Sequence, residues 1–259
     1  SAVLVLAAGL AVLPSFANLW VTWEYGKEST RGKSELTVNQ NNQTGGLDKD
    51  YATQWSYGIG ETWSLLIPNV KGGASDAIGN HEEALKKVDP KMKKYVAQSN
   101  AYWGNQPFTS GPVYVGAIVV FLFVLGLMIV HGPLKWALLI ATVLSIMLAW
   151  GHNFMPLSDF FLDYVPGYNK FRAVSMTLVI ADLAMPLLGV LALKEIFDKN
   201  ADRKKLFKHL LMTFYIVGGI ALFFILFSGS LFSFSASFDN QLIQAGFPKS
   251  VIEGIVADR

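Results

Sequence analysis

The chain has 259 residues, of which 52% are hydrophobic and only 15% are charged, and its formal net charge is +2. A charged fraction this small, crowded into a few stretches, cannot cover the surface of a soluble domain of this length. The near-neutral balance without a basic block argues against nucleic acid as a partner, and the lack of cysteine excludes disulfides and cysteine–zinc sites.

Five apolar stretches are long enough to cross the roughly 30 Å apolar layer of a bilayer as helices. In chain order they are residues 1–23, 111–130, 136–157, 173–193 and 210–233. Pro14 is expected to kink the first of them. Because a helix satisfies its own backbone in lipid, the sequence predicts an all-α, polytopic helical membrane protein. Since the chain begins inside an apolar stretch and ends inside an amphipathic one, we expect it to be an internal piece of a longer protein.

The short loops predict the orientation of these spans. Residues 194–209 are rich in lysine and arginine, and the turn at 131–135 is also basic. Basic residues concentrate in short cytoplasmic loops, so both are expected on the cytoplasmic side. The large hydrophilic segment 24–110, the loop 158–172 and the amphipathic segment 234–259 are then extracytoplasmic.

The segment 24–110 is predicted to contain loops and short helices. Residues 27–49 are rich in Ser, Thr, Asn, Gln and Gly, which is typical of a loop. Residues 51–67 mix aromatic and apolar side chains, as expected of a segment at the level of the lipid headgroups. Acidic residues after Asn80 predict the start of one helix, and a second is expected at about 91–100.

One acidic residue, Asp182, interrupts the fourth apolar stretch. At about 1.5 Å per residue it lies about 15 Å along the helix from Arg172, near the middle of the membrane. Pro186 removes the backbone hydrogen bond to its carbonyl. Because a bare charge is costly there, Asp182 either lines an intramembrane cavity or proton path, or joins helices through hydrogen bonds to Ser145 or Thr142.

Two arginines at the predicted outer surface are candidate phosphate ligands. Arg172 ends a loop that also carries Asp159, Asp163 and Lys170, directly before a span. It either contacts a lipid phosphate or anchors the helix at the interface. Arg31 lies in the polar stretch WEYGKESTRGKSELT, which is either a sugar- or phosphate-binding site or a solvated loop.

A third group of candidates lies in aromatic stretches that contain several glycines. Glu61 stands between Trp55 and Trp63, and a carboxylate beside aromatic faces can hold a sugar, although aromatic belts at a membrane interface have the same composition. The sequence has no Walker, GxGxxG, HExxH or GxSxG motif, and its four histidines lack metal-ligand spacing, so neither metal nor cofactor is predicted.

Several of these stretches follow one another in a recognisable order. They are EYGKESTRGKSELT, GLDKDYATQWSYGIGETWSLLIPNVKGG, AYWGNQPFTSGPVYVG and YVPGYNKFRAVSM, followed at the end by QAGFPKSVIEGIVADR. Their order and content resemble the bacterial YfhO family of membrane proteins, especially members from Bacteroidetes. The family is regarded as GT-C-like, a class of multi-span glycosyltransferases that take a sugar from a polyprenyl-phosphate carrier. The resemblance therefore implies a bacterial cytoplasmic (inner) membrane location, a polyprenyl-phosphate-linked sugar donor and an envelope glycopolymer acceptor.

The resemblance also implies roles for individual residues. The catalytic acid of GT-C enzymes follows the first span of the full protein, which is expected upstream of this chain, so no catalytic residue is assigned here. Arg172 and Arg31 are implied to bind the carrier phosphate, with Lys170 assisting, because a guanidinium stabilises the charge that develops on a departing phosphate. The residues implied on the sugar or acceptor side are Glu61, Tyr57 and Trp103.

Two other functions remain open on the residues alone. A proton-coupled transporter would use Asp182 and Pro186 as a protonatable site at a broken helix near the midplane. A non-catalytic envelope-assembly protein would need neither site. The large hydrophilic segment 24–110 favours the enzyme, because a transporter rarely needs so much chain outside the membrane.

Overall fold

The computed structural model describes residues 2–29, 32, 40–80, 85, 90–91, 93–236, 239, 243–244 and 248–258. Its α-helices, numbered in chain order, are α1 (Ala2–Val12), α2 (Phe16–Lys27), α3 (Lys49–Ala52), α4 (Lys93–Gln98), α5 (Ala117–Ile129), α6 (Leu134–Ala149), α7 (Met155–Tyr164), α8 (Val179–Phe197), α9 (Arg203–Leu231) and α10 (Lys249–Asp258). Short 3₁₀ turns join several of them. Over these ranges the fold is all-helical and has no strand, which confirms the predicted class.

Two described helices are long and apolar enough to cross a membrane. One is α8 together with the 3₁₀ turn before it, Val174–Phe197, with 24 residues, and the other is α9, with 29 residues. A third is obtained if α6 and residues 151–164 count as one span, although these two parts are bent by 112°. The sequence predicted five spans, so the described helices of suitable length account for two or three of them.

The other two predicted spans form shorter helices. α5 has 13 residues, because Gly116 before it has a φ of 108° and Val130 after it is extended. At about 1.5 Å per residue its length is about 20 Å, shorter than the apolar layer of a bilayer. α1 and α2 are separated by the 3₁₀ turn Leu13–Ser15, in which Pro14 lacks the N–H that would continue an α-helix.

The predicted span 136–157 ends early, at a sharp bend. Gly151 has a φ of 47°, a left-handed conformation that glycine adopts without steric cost. A Cβ atom at this position would overlap Oγ of Ser56 and lie 2.6 Å from Cγ2 of Val174. The chain turns here into α7, so the first half of the predicted loop 158–172 is helical.

The basic segment 194–209, predicted as a loop, is mostly helical. Only residues 198–202 separate α8 from α9. The side chain of Asp202 caps α9 by accepting hydrogen bonds from the backbone N–H groups of Lys204 at 3.0 Å and Lys205 at 3.2 Å. This cap satisfies N–H groups that a helix start leaves without a partner, so the helix begins earlier than hydropathy indicated.

Helices α5, α6 and α8 form the apolar core of the bundle. Leu125 of α5 and Leu188 of α8 are fully buried in it. Gly126 lies against Leu188, where an added Cβ atom would be 2.8 Å from the leucine Cγ, and Ala181 and Ala184 are buried on α8. Such small residues let helix backbones approach closely, which is a main source of helix association in lipid.

The described residues between 40 and 116, which we call the covering segment, pack over one end of this bundle, where α6 bends. The backbone N–H of Tyr57 donates a 2.7 Å hydrogen bond to the carbonyl of Ala149. The N–H of Ser175 donates to the carbonyl of Trp55 at 3.2 Å. These bonds bring the covering segment, the end of α6 and the start of the α8 span to the same end of the molecule.

The closing segment of the chain returns to this end as well. It forms α10, whose Val251 and Ile255 are buried in one cluster with Val96 of α4. Helix α4 lies inside the helix predicted at 91–100. The helix predicted to begin after Asn80 lies mostly outside the described residues.

Candidate functional site

Arg172 is the candidate phosphate ligand that the structure describes, and its guanidinium lies on two aromatic rings. Its Cζ atom is 4.0 Å from the ring centroid of Trp55 and 4.7 Å from that of Tyr51. Its Nη1 atom also donates a 2.7 Å hydrogen bond to the hydroxyl of Tyr51. Because each cation–π contact contributes about 0.5–1 kcal/mol at an exposed site, these contacts hold the guanidinium in one orientation.

Trp55, under the guanidinium, is fixed by two other parts of the chain. Its indole N–H donates a 3.2 Å hydrogen bond to the carbonyl of Phe108, and the two rings meet edge to face with centroids 5.1 Å apart. Its own carbonyl accepts the hydrogen bond from Ser175. Between Arg172 and this serine, Ala173 has a φ of 68°, an uncommon conformation outside glycine that turns the chain sharply before the span.

Arg172 has no carboxylate partner among the residues that the structure describes. Asp159 and Asp163, which belong to the same predicted loop, form ion pairs with Lys49 at 2.8 and 3.0 Å instead. Burial acts to lower the pKa of Lys49, but hydrogen bonds and attraction from the two carboxylates outweigh it and raise that pKa. The positive charge of Arg172 is therefore not neutralised within the described chain.

A cavity of about 290 Å³ lies beside Arg172 and has mostly apolar walls. The hydroxyl of Tyr168, which lines it, is buried and has no hydrogen-bond partner among the described residues. Burial raises the pKa of Tyr168 to about 12. The neutral hydroxyl can donate a hydrogen bond. The other lining residues are Phe171, Ala173, Val174, Met176 and Thr177. A cation beside apolar walls suits an anion that is attached to an apolar group.

Lys170, the predicted assistant at the phosphate, makes a different contact. Its ammonium donates a 2.7 Å hydrogen bond to the carbonyl of Gly45. Next to it, the carbonyl of Asn169 accepts a 2.8 Å hydrogen bond from the N–H of Leu47. Lys170 thus ties the covering segment to the turn before Arg172, and this contact engages one of the three N–H donors of its ammonium.

Glu61 is a buried acceptor inside the covering segment, with 2% of its surface exposed. Its carboxylate accepts hydrogen bonds from the backbone N–H groups of Gly58 at 2.5 Å and Asn105 at 3.1 Å. It also accepts a hydrogen bond from the hydroxyl of Tyr102. Because its oxygens are already bonded to three donors, the carboxylate holds parts of the segment together in this arrangement.

Tyr57 belongs to the same buried network. It is 2% exposed, and its hydroxyl shares a hydrogen bond with that of Ser64. Burial raises the pKa of Tyr57 to about 12, and the nearby charge of Glu61 acts in the same direction. Burial and Glu61 likewise raise the pKa of Tyr102. The structure therefore brings Tyr57 and Glu61 together, but in the interior.

Trp103 is enclosed by neighbours rather than open to a ligand. It is 4% exposed, and the ammonium of Lys71 lies 3.7 Å from its ring centroid. The rings of Phe232 and Phe234, which follow α9, lie 5.7 and 5.0 Å away. A sugar could stack on Trp103 only after these neighbours move.

Sequence reasoning did not single out Lys71. Burial lowers the pKa of its ammonium, against the opposite effect of the Glu61 carboxylate. Besides Trp103, the ring of Phe232 lies 5.1 Å from the ammonium. Both rings are distant in sequence, so no local pattern around VKGG could have indicated this contact.

Two other predicted residues do not join this arrangement. Arg31 lies outside the described residues. Asp182 is exposed in the first turn of α8, whereas Thr142 and Ser145 donate their hydroxyls to carbonyls of their own helix, at 2.8 and 3.0 Å. The hydrogen bonds suggested between Asp182 and these two hydroxyls are not formed. In the described part of the chain, no three His, Asp or Glu side chains are grouped so that they could hold a metal ion.

No family model, curated protein or solved structure matches this chain. The structure defines the fold class: the described chain is all-helical and has two or three helices that are apolar enough to cross a membrane.

Proposed function

We propose that this chain is part of a GT-C-like membrane glycosyltransferase of the bacterial cytoplasmic membrane. It uses a polyprenyl-phosphate-linked sugar to modify a cell-envelope polymer on the outer face. In this proposal the chain crosses the membrane five times, and the covering segment lies outside with the loop around Arg172. The observation that carries the proposal is the guanidinium of Arg172, which lies on Trp55 and Tyr51 beside an apolar cavity and has no carboxylate partner in the described part of the chain.

The ligand chemistry follows from this combination. A polyprenyl phosphate joins a strong anion to a long apolar chain, so its site needs a cation at the membrane surface and apolar space next to it. Arg172 stands immediately before a helix that is apolar enough to cross a membrane, and Phe171 and Met176 line the cavity beside it. A planar guanidinium can form paired hydrogen bonds with phosphate oxygens, and it stabilises the charge that grows on a departing phosphate.

No general base is assigned in this proposal. Glu61 is bonded to three donors, and Asp159 and Asp163 are paired with Lys49. A base must reach the acceptor hydroxyl within hydrogen-bond distance, and these carboxylates already have partners. The base that deprotonates the acceptor therefore stays unassigned.

The test is phosphate recognition by the full-length protein in detergent micelles. Binding of a polyprenyl phosphate and of the matching uncharged polyprenol would be measured by native mass spectrometry and thermal shift. We expect Arg172→Ala to weaken binding of the phosphate about tenfold or more, because a charge-assisted hydrogen-bonded contact is lost, and to leave the polyprenol unaffected. Arg203→Ala, at the start of α9 and far from Arg172, is the control. Unchanged phosphate binding by a folded Arg172→Ala protein would overturn the proposal.

A further inference from the structure

A second cavity, of about 240 Å³, lies at the opposite end of the bundle from Arg172. It is lined at the ends of three apolar helices. The lining residues are Met128, Ile129 and His131 at the end of α5, Glu195 in the last turn of α8, and Ala201, Asp202, Lys205, Leu206 and His209 around the start of α9. Apolar helix surface gives way to charged residues at this level. In a bilayer this is the level of the lipid headgroups.

Side chains of both charge signs line this cavity without partners. They are His131, Glu195, Lys205 and His209, and none has a hydrogen bond or ion pair to another described side chain. Asp202 also lines it, but its carboxylate is engaged by the backbone N–H groups that it caps. Apart from Asp202, the cavity is thus lined by one carboxylate, one ammonium and two imidazoles, and none of these groups is engaged by another described side chain.

We infer that this cavity binds the headgroup of a zwitterionic phospholipid of the phosphoethanolamine type. Lys205, His131 and His209 supply donors to the phosphate, and the carboxylate of Glu195 accepts hydrogen bonds from the primary ammonium. Two apolar residues, Met128 and Leu206, form the wall on which the acyl chains begin. The inference is independent of the proposed sugar transfer, because none of these residues lies in the site around Arg172.

The chemistry selects this headgroup over its alternatives. A phosphoglycerol headgroup offers Glu195 only neutral hydroxyl donors and no cation, so the charge of the carboxylate stays uncompensated beside the phosphate. A choline headgroup has the cation, but its quaternary nitrogen has no N–H to donate.

The experiment uses the full-length protein, delipidated in a non-ionic detergent. Phosphatidylethanolamine, phosphatidylglycerol and phosphatidylcholine with identical acyl chains are added at equal mole fractions, and retained lipid is counted by native mass spectrometry. We expect phosphatidylethanolamine to bind about tenfold more tightly than either other lipid, the difference that a charge-assisted hydrogen bond provides. Equal retention of the three lipids would overturn the inference without any mutation.

Three variants then test the ammonium-binding residue and the phosphate-binding residues separately. Glu195→Gln should remove the preference for phosphatidylethanolamine over phosphatidylglycerol, and Lys205→Gln should weaken binding of both. Lys208→Gln, on the same helix but outside the cavity lining, should change neither. A preference that survives Glu195→Gln would overturn the assignment of the ammonium. Soluble phosphoethanolamine that binds as tightly as the lipid would overturn the membrane as the source.

Discussion

The carboxylate of Glu61 accepts a hydrogen bond from the hydroxyl of Tyr102, which lies 41 residues later in the chain. Both side chains are buried, so the bond joins the 3₁₀ turn Ile59–Leu65 to the segment after α4 inside the protein. That same segment continues to Phe108, which holds the indole of Trp55 beneath Arg172. The Glu61–Tyr102 bond therefore supports the candidate phosphate site from a distance.

Removing the hydroxyl of Tyr102 tests this support. We expect Tyr102→Phe to lower the free energy of unfolding by about 1–3 kcal/mol, because Glu61 remains buried with one donor fewer. The measurement is denaturant unfolding in detergent, followed by tryptophan fluorescence. Tyr164→Phe removes the hydroxyl of a tyrosine that is 74% exposed and should change stability by less than about 0.5 kcal/mol. Equal, small changes in both variants would contradict a stabilising role for the bond.

The raised pKa of Tyr168 predicts that the protein loses stability at alkaline pH. Its pKa is about 12 in the folded protein, against an ordinary value of 10.0. Between these two values the unfolded chain has released the proton while the folded protein keeps it, so stability falls as the pH rises. The slope from this one group is at most about 1.4 kcal/mol per pH unit.

The variant that checks this is Tyr168→Phe. It removes both the titrating group and a buried hydroxyl without a described partner, so we expect equal or higher stability at neutral pH and a shallower alkaline decline. Unfolding midpoints over a pH series would measure both effects, with Tyr164→Phe as the control. An alkaline decline as steep as in the unchanged protein would show that Tyr168 does not titrate in this way.

The bend between α6 and α7 predicts that Gly151 cannot be replaced by a residue with a side chain without loss of stability. Gly151→Ala would place a Cβ atom onto Oγ of Ser56 in a left-handed backbone conformation, so we expect a loss of about 3 kcal/mol in stability and reduced folded yield. Gly218→Ala, in α9, meets nothing within 4 Å and should be neutral or stabilising by about 0.5–1 kcal/mol. Thermal unfolding of both purified variants compares them directly. Similar behaviour of the two would contradict the close approach at the bend.

Asp182 separates the glycosyltransferase proposal from a proton-coupled transporter. We expect Asp182→Asn to leave polyprenyl phosphate binding unchanged, since Asp182 does not line the cavity beside Arg172. Stability should fall by no more than about 1 kcal/mol, because a carboxylate in the first turn interacts favourably with the helix dipole. Proteoliposomes with a pH-sensitive dye provide the second measurement. Substrate-dependent proton uptake that disappears in Asp182→Asn would favour the transporter instead.

Local composition was enough to predict the apolar helices, because their preference for lipid depends only on the residues they contain. Whether about 20 consecutive residues prefer lipid to water is a property of that stretch alone, and it correctly indicated the long apolar helices α8 and α9. The break at Pro14 is also local, because it follows from a missing N–H. The position of Arg172 directly before an apolar helix could likewise be read from the chain.

Only the tertiary structure decided which of these residues meet. The turn at Gly151 depends on Ser56, and Lys49 rather than Arg172 or Lys170 pairs with Asp159, 110 residues away. The contacts of Lys71 with the rings of Trp103 and Phe232 likewise join three segments that are distant in the sequence. Such contacts depend on how helices pack against each other, and a sequence window carries no information about partners outside it. For the same reason, the sequence identified Glu61 as a candidate ligand, whereas the fold made it an interior acceptor.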